Sequence, residues 1–207
     1  MAPPRFFYFD LGNVLVRFST ERMYRQMAQV SAGVAAERIR EVVVEDGLLR
    51  QYELGHVSDE QFYETFCRRT GTRPDLDALM RAGSDIFELN ASILPVVGHL
   101  QQAGYRLGVL SNTCRPHWAH VAARFPVLAE AFPVRALSFE IGAAKPDAAI
   151  FRAAAELAGT APEEIFFTDD APEHVAGAKA AGIDAVPYTS TSRLAEELRR
   201  RGVRFNY

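Results

Sequence analysis

Phe6-Phe7-Tyr8-Phe9-Asp10-Leu11-Gly12-Asn13-Val14 is an apolar run that ends abruptly in a carboxylate. An unbroken row of aromatic residues reads as a buried strand. Gly12 and Asn13 turn the chain after it, because both tolerate backbone angles that other residues avoid. An acid at such an edge faces the crevice outside the carboxyl ends of a sheet, where open α/β folds bind ligands. A desolvated aspartate there has two tasks open to it, nucleophile or metal ligand. The plainer alternative is an aspartate that caps a helix or closes a turn.

Comparable apolar runs follow. The first spans Arg5–Asp10, and others lie at Tyr105–Ser111, Val134–Ser138, Ile165–Asp169 and Ile183–Tyr188. Helical periodicity separates most of them, over Ser92–Gln102, Pro116–Arg124, Asp147–Leu157, Ala171–Ala181 and Ser192–Arg201. Strands alternating with helices predict βαβ units and an α/β fold with a mostly parallel sheet. Between Phe18 and about Asn90 the pattern holds no convincing strand. Met23, Met27 and Val30 recur at helical spacing, as do Ile39, Val42 and Val43, then Phe62 and Phe66. Ser19-Thr20 and Ser58-Asp59-Glu60-Gln61 mark helix starts, the second a capping box. A helical stretch of this length is too long for a crossover between neighbouring strands. It predicts an all-helical insertion over residues 18–90, above the sheet edge of a core formed by residues 1–17 and 91–207.

The chain has 207 residues, 48% hydrophobic and 24% charged, as expected of an ordinary globular protein with a substantial core. A formal charge of −3 argues against a nucleic-acid partner, which demands a concentrated basic face. Only Arg193 to Arg204 is locally basic, and five arginines in twelve positions there read as a solvated helix face and tail. Two cysteines, Cys67 and Cys114, form neither a disulfide framework nor a metal-ligand spacing. The apolar run before Asp10 is too short for a signal peptide or membrane span. The expectation is a cytoplasmic protein without a membrane partner, monomeric or a homodimer.

Four points of this frame fall at strand ends or just after them, and each bears a reactive or phosphate-directed group. Asp10 is the first. Ser111-Asn112-Thr113, directly after Leu107-Gly108-Val109-Leu110, is the second; its hydroxyls and N–H groups can hold an anion at a helix start, or simply form a turn. The third is Lys145-Pro146, a positive charge ahead of an alanine-rich helix. The fourth is Phe166-Phe167-Thr168-Asp169-Asp170. Adjacent carboxylates at the end of a buried strand repel one another unless a cation neutralises them, although a doubled helix cap is the plainer reading.

In this order, Phe9-Asp10-Leu11-Gly12-Asn13-Val14-Leu15, Leu110-Ser111-Asn112, Lys145-Pro146 and Phe167-Thr168-Asp169-Asp170 resemble the four motifs of the haloacid dehalogenase (HAD) superfamily. Gly177-Ala178-Lys179-Ala180-Ala181-Gly182-Ile183 is similar to the segment that follows the fourth. The insertion resembles a C1-type cap, so the resemblance implies a Rossmann-like core with a helical cap. The Asp-Leu-Gly-Asn-Val variant is similar to a subgroup of bacterial sugar-phosphate phosphatases that contains glucose-1-phosphate phosphatase.

The resemblance implies that Asp10 attacks phosphorus of a small phosphorylated metabolite and forms an aspartyl-phosphate, which water then cleaves. It implies magnesium held by Asp10, Asp170 and the Gly12 carbonyl, with Asp169 assisting. Ser111 and Asn112 would donate hydrogen bonds to the phosphoryl group, with Gly12 and Asn13 forming the turn against it, and Lys145 would compensate the charge. Two departures stand out. Most phosphatases of the superfamily carry a second aspartate two places after the nucleophile as general acid, and here Gly12 cannot donate a proton. Such help is typically worth about 10²–10⁴-fold, so its loss favours good leaving groups such as an anomeric sugar phosphate or an acyl phosphate. Relatives also often carry Asp or Asn where His174 stands, supporting a metal-bound water or Asp170; the alternative for His174 is a solvated helix position.

Glu53-Leu54-Gly55-His56-Val57-Ser58 is a glycine-broken turn, similar to the loop that relatives lower over the leaving group. Glu53 and His56 are candidates to read sugar hydroxyls, and His56 to offer the missing proton; a plain helix–helix turn is the alternative. Arg17 is a candidate to contact substrate or pair with a cap carboxylate. Trp118 and Phe125, at helical spacing, read as core. Two rivals use the same motifs. A hydrolytic dehalogenase would attack carbon from Asp10 without metal, which the Asp169-Asp170 pair disfavours. A catalytically weak binding or regulatory module is favoured only by Gly12. A phosphoryl-transferring mutase would miss the same acid.

Overall fold

The structure, a computed structural model, describes residues 4–203, so Arg204 of the basic C-terminal stretch lies outside the described residues. Seven strands are found in it: Phe6–Phe9 (β1), Val16–Phe18 (β2), Phe87–Leu89 (β3), Arg106–Ser111 (β4), Val134–Leu137 (β5), Ile165–Asp169 (β6) and Asp184–Pro187 (β7). Five form a parallel sheet in the order β5-β4-β1-β6-β7, with helices on both faces. Each expected strand of this sheet is present within a residue or two of its predicted ends.

β1 is central, pairing Phe6–Phe9 with Arg106–Val109 on one side and Ile165–Thr168 on the other. All four of its residues are buried, because helices cover both sheet faces and leave no solvent side for polar residues. The strand period of two divides the run. Phe7 and Phe9 pack with Leu107, Val109 and Phe166 on one face, whereas Phe6 and Tyr8 pack with Leu110, Ile165 and Phe167 on the other.

Between β2 and β3 the chain is helical, from Thr20–Val30 to Leu76–Ser84. Ser19 caps the first of these helices by accepting the Arg22 N–H at 3.1 Å. Ser58 and Gln61 form the reciprocal capping box expected of the helix Asp59–Thr70. One expectation needs correction: the segment after Phe18 does contain a strand. Phe87–Leu89 pairs antiparallel with Val16–Phe18, and the two close the neck of the insertion. Three residues carry too little periodicity to be seen in sequence, and the pairing that makes them a strand comes from some seventy residues away.

Asn90 ties this neck. Its Nδ2 donates to the Val14 carbonyl at 2.7 Å and to the Tyr188 hydroxyl at 2.9 Å, while its N–H donates to the Leu15 carbonyl. The insertion shares one continuous apolar cluster with a face of the sheet: Met27, Val42, Phe62 and Phe66 belong to the same cluster as Phe9, Val109 and Trp118. Trp118 is buried there and Phe125 packs against it, as core positions. No helix among the described residues is long and apolar enough to cross a membrane.

Gly108 shows how closely neighbouring strands of the sheet meet. A Cβ at that position would stand 2.5 Å from Tyr8 Cε1 and 2.9 Å from the Val134 carbonyl oxygen. Tyr8 cannot yield, since its hydroxyl donates to the Ala154 carbonyl at 2.9 Å. Gly108→Ala is expected to destabilise the protein by about 1–3 kcal/mol through overpacking, read as a lowered midpoint in urea unfolding.

Candidate active site

Because the sheet is parallel, β1, β4 and β6 deliver their ends to one edge. Asp10 follows β1, Ser111 closes β4 and Asp169 closes β6. The Asp10 N–H donates to the Thr168 carbonyl at 3.0 Å, which continues the ladder and holds the two acids level. Carboxylate oxygens of Asp10, Asp169 and Asp170 lie within 4.8 Å of one another. Asp10 and Asp169 are buried and Asp170 is exposed.

Lys145 enters this group from the loop between the short helix Ser138–Ile141 and the helix Ala148–Ala158. Its Nζ donates to Asp10 Oδ1 at 2.7 Å, to Asp169 Oδ2 at 2.5 Å and to the Leu110 carbonyl at 2.9 Å, with the side chain almost wholly buried. Burial alone would lower its pKa, but the two carboxylates outweigh burial and hold the ammonium above its usual range. Asp10 is pushed up to about 6 by burial, with Lys145 opposing and Asp169 adding to the rise. Asp169 stays below the usual carboxylate range. Burial would raise it, but His174, Lys145 and the Ala171 N–H together outweigh that effect.

The other candidates are distributed as follows. Asn13 sits in the left-handed region at φ 55°, which asparagine tolerates, and its Nδ2 donates to Asp170 Oδ2 at 2.8 Å. His174 Nδ1 donates to Asp169 at 3.1 and 3.2 Å; its partner is Asp169 rather than Asp170, because Asp170 turns outward to Asn13. Neither acid caps the following helix with its side chain, since Ala171 is the N-cap residue. Asn112 is not free to meet an anion through its amide. Its Nδ2 donates to the Lys145 carbonyl at 3.0 Å and its Oδ1 accepts the Lys145 N–H at 2.7 Å, so it clamps the backbone that carries the lysine. The Thr113 N–H is likewise taken by Ser138 Oγ at 2.9 Å. Ser111 is buried and makes one long contact, 3.4 Å to the Asn112 carbonyl, which leaves its hydroxyl able to reorient.

A cavity of about 90 Å³ lies between this edge and the insertion, lined by Gly12 and Ser111 from below and by Glu53, Met23 and Leu49 from above. That is smaller than the ~300–1,000 Å³ of usual ligand pockets. Glu53 lines it as expected, but His56 does not. His56 faces a separate, more open groove beside Asp59 and Arg115, exposed, with Nδ1 3.0 Å from Gln51 Oε1. Arg17 is exposed on β2 opposite Glu88 and does not line the cavity. Sequence reasoning missed Phe18, whose Cε1 would stand 2.9 Å from a Cβ at position 12, and the clamp made by Asn112. No local signal marks either, as both depend on segments joined only by folding.

The three acids fit a divalent cation by donor chemistry: hard oxygens converge at the edge, and one ammonium cannot neutralise three carboxylates. A carboxylate cluster and a buried lysine at the carboxyl edge of a parallel sheet define a class of α/β hydrolases. The chain matches the haloacid dehalogenase-like hydrolases over residues 5–182 and belongs to that family. Phosphatase MT3486 of Mycobacterium tuberculosis is 33% identical over 91 residues, 44% of this chain and 42% of that protein, so the match spans less than half of its length. A predicted HAD-like family hydrolase of Porphyromonas gingivalis superposes with a TM-score of 0.82 at 27% identity, covering 96% of this chain and 99% of that one. The HAD family enzyme bt-2542 of Bacteroides thetaiotaomicron, solved with magnesium and inorganic phosphate, gives 0.78 at 26% identity over 89% and 93% of the two chains.

Lys145→Met is expected to leave Asp10 and Asp169 buried without their cation and to cost about 3–5 kcal/mol in chelator-treated protein. Deprived of the ammonium that opposes its burial, Asp10 has a folded pKa still further above its unfolded one, so the variant keeps stability at low pH and loses it as pH rises. Urea midpoints of the two proteins should therefore lie closest near pH 5 and diverge above neutrality.

Proposed function

We propose that this hydrolase cleaves a small phosphomonoester, a sugar phosphate in the first instance, through an aspartyl-phosphate on Asp10. The observation that carries the reading is the asymmetric environment of the Asp10 carboxylate. Oδ1 is held by Lys145, while Oδ2 lies 3.8 Å from where a Cβ on Gly12, a residue that lines the cavity, would stand. The lysine orients the carboxylate and keeps it ionised despite its burial, and the other oxygen is left to attack phosphorus in line. The resemblance of the motifs and the phosphate-bound structural neighbour support the same reading.

Ser111 turns its hydroxyl to a phosphoryl oxygen, and Asn112 acts through Lys145, holding its backbone so that the ammonium meets both Asp10 and the developing charge. Asp169 is fixed by Lys145 and His174, and Asp170 by Asn13. A magnesium ion held by Asp10, the Gly12 carbonyl and Asp170, with Asp169 assisting, would supply neutralisation of the phosphoryl oxygens. The helical insertion, residues 18–90, acts as a cap that closes over the leaving group, turning about the neck tied by Asn90. Since the cavity is small, substrate enters with the cap displaced. A water then cleaves the aspartyl-phosphate and restores Asp10.

Phosphate release from p-nitrophenyl phosphate and glucose-1-phosphate tests the reading. It is expected to require magnesium, to stop with excess chelator, and to fall by at least ~10³-fold in Asp10→Asn. Release that survives Asp10→Asn would sink it, as would chloride release from 2-chloropropionate with none from any ester.

A further inference from the structure

Gly12 leaves the leaving group without an acid on the nucleophile's own turn, and the Phe18 ring fills part of the space beside it. The Phe18 ring stands 2.9 Å from where a Cβ would begin, in the space a side chain at position 12 would need. Across the cavity from that ring the insertion presents Glu53, the last residue of the helix Leu48–Glu53. Among the described residues lining this cavity it is the one carboxylate. The other ionisable side chain there, His117, places Nε2 3.1 Å from the Gly83 carbonyl and is pushed down to about 4 by burial, hence a neutral imidazole already engaged. The remaining walls are largely apolar, with Leu11, Met23 and Ile86 among them.

Glu53 is also held in place. Two residues on, Gly55 adopts φ 68° and lies so close to the core that a Cβ would stand 2.3 Å from the Phe139 carbonyl oxygen. The turn therefore docks backbone to backbone on the helix Ser138–Ile141 and fixes the end of the glutamate's helix over the sheet edge. No side chain or N–H among the described residues hydrogen-bonds the Glu53 carboxyl, which leaves it for a ligand.

We propose that Glu53 is the general acid of this enzyme, a cap-borne carboxyl that takes the place of the acid missing at Gly12. The proposal rests on the phosphatase reading and deepens it. As Asp10 bonds to phosphorus and the ester P–O bond breaks, its electron pair stays on the leaving oxygen, which takes the Glu53 proton and departs as an alcohol. The Glu53 carboxylate then accepts a proton from the water whose oxygen attacks the aspartyl-phosphate, and the acid is regenerated with release of phosphate. Burial raises the Glu53 carboxyl to about 7 against the pull of Arg50, so a protonated fraction is present at neutral pH.

The test is the leaving-group dependence of kcat/KM. p-Nitrophenyl phosphate needs no proton for departure, whereas glycerol phosphate does. In Glu53→Gln the ratio of kcat/KM for p-nitrophenyl phosphate to that for glycerol phosphate is expected to rise about 10²-fold or more over wild type. Glu53→Asp, which retains an acid, should recover part of the change. A merely structural role would lower both substrates together and leave the ratio within about threefold, which overturns the proposal. Wild-type protein alone gives a second reading that depends on no variant: a rate that falls steeply with leaving-group basicity overturns it, and a shallow dependence supports it. Wild type that releases phosphate from no ester overturns the phosphatase reading itself, a result distinct from an unchanged ratio.

Discussion

Three contacts of one ammonium organise the centre of this protein. Lys145 Nζ meets Asp10, Asp169 and the Leu110 carbonyl, that is, the ends of β1, β6 and β4, which are the three middle strands of the sheet. Bringing three strand ends together places buried carboxylates side by side, an arrangement that is costly without a cation. The lysine offsets that cost, and Asn112 offsets the cost of burying the lysine's own backbone by taking both its N–H and its carbonyl. His174 and Asn13 then hold the outlying oxygens of Asp169 and Asp170. The charge left over, three carboxylates against one ammonium, is what makes the edge suited to a divalent cation and a phosphoryl group together.

The insertion is bound to this edge in two different ways. Buried side chains of its helices share the apolar cluster of one sheet face. Its neck is polar and narrow, with Asn90 bonded to the Val14 and Leu15 carbonyls and to Tyr188. Phe18, at the same neck, reaches over Gly12, and Gly55 rests on Phe139. These close approaches tie residue choice at position 12 to the placement of the insertion. A side chain at position 12 would have to displace the Phe18 ring, and the chemistry forgone on that turn has a counterpart in Glu53, which lines the same cavity.

Much of this was readable from the chain. The five strands of the sheet announced themselves because a strand buried on both faces must be apolar along its length, and the helix starts at Ser19 and Ser58 because capping is a local interaction. Asp10, Ser111 and Asp169 could be picked out since parallel strands send all their ends to one edge, and Lys145 by its place just ahead of Pro146 and a helix. β3 could not, as three residues hold too little pattern and depend on a distant partner. The roles of Asn112, Phe18 and Asn90 were equally hidden, and His56 looked as eligible as Glu53, three residues before it. Which of the two meets the cavity depends on how one turn docks against Phe139.

By itself, then, the sequence determined the parallel α/β frame, the order of its motifs and the acids and base that gather at the sheet edge, because periodicity and local capping are written residue by residue. Only the tertiary structure decided which side chains face one another: that Lys145 bridges Asp10 and Asp169, that His174 serves Asp169, and that Glu53 rather than His56 closes the cavity. Contacts between segments far apart in the chain depend on packing distances of a few ångströms, and no run of neighbouring residues encodes those.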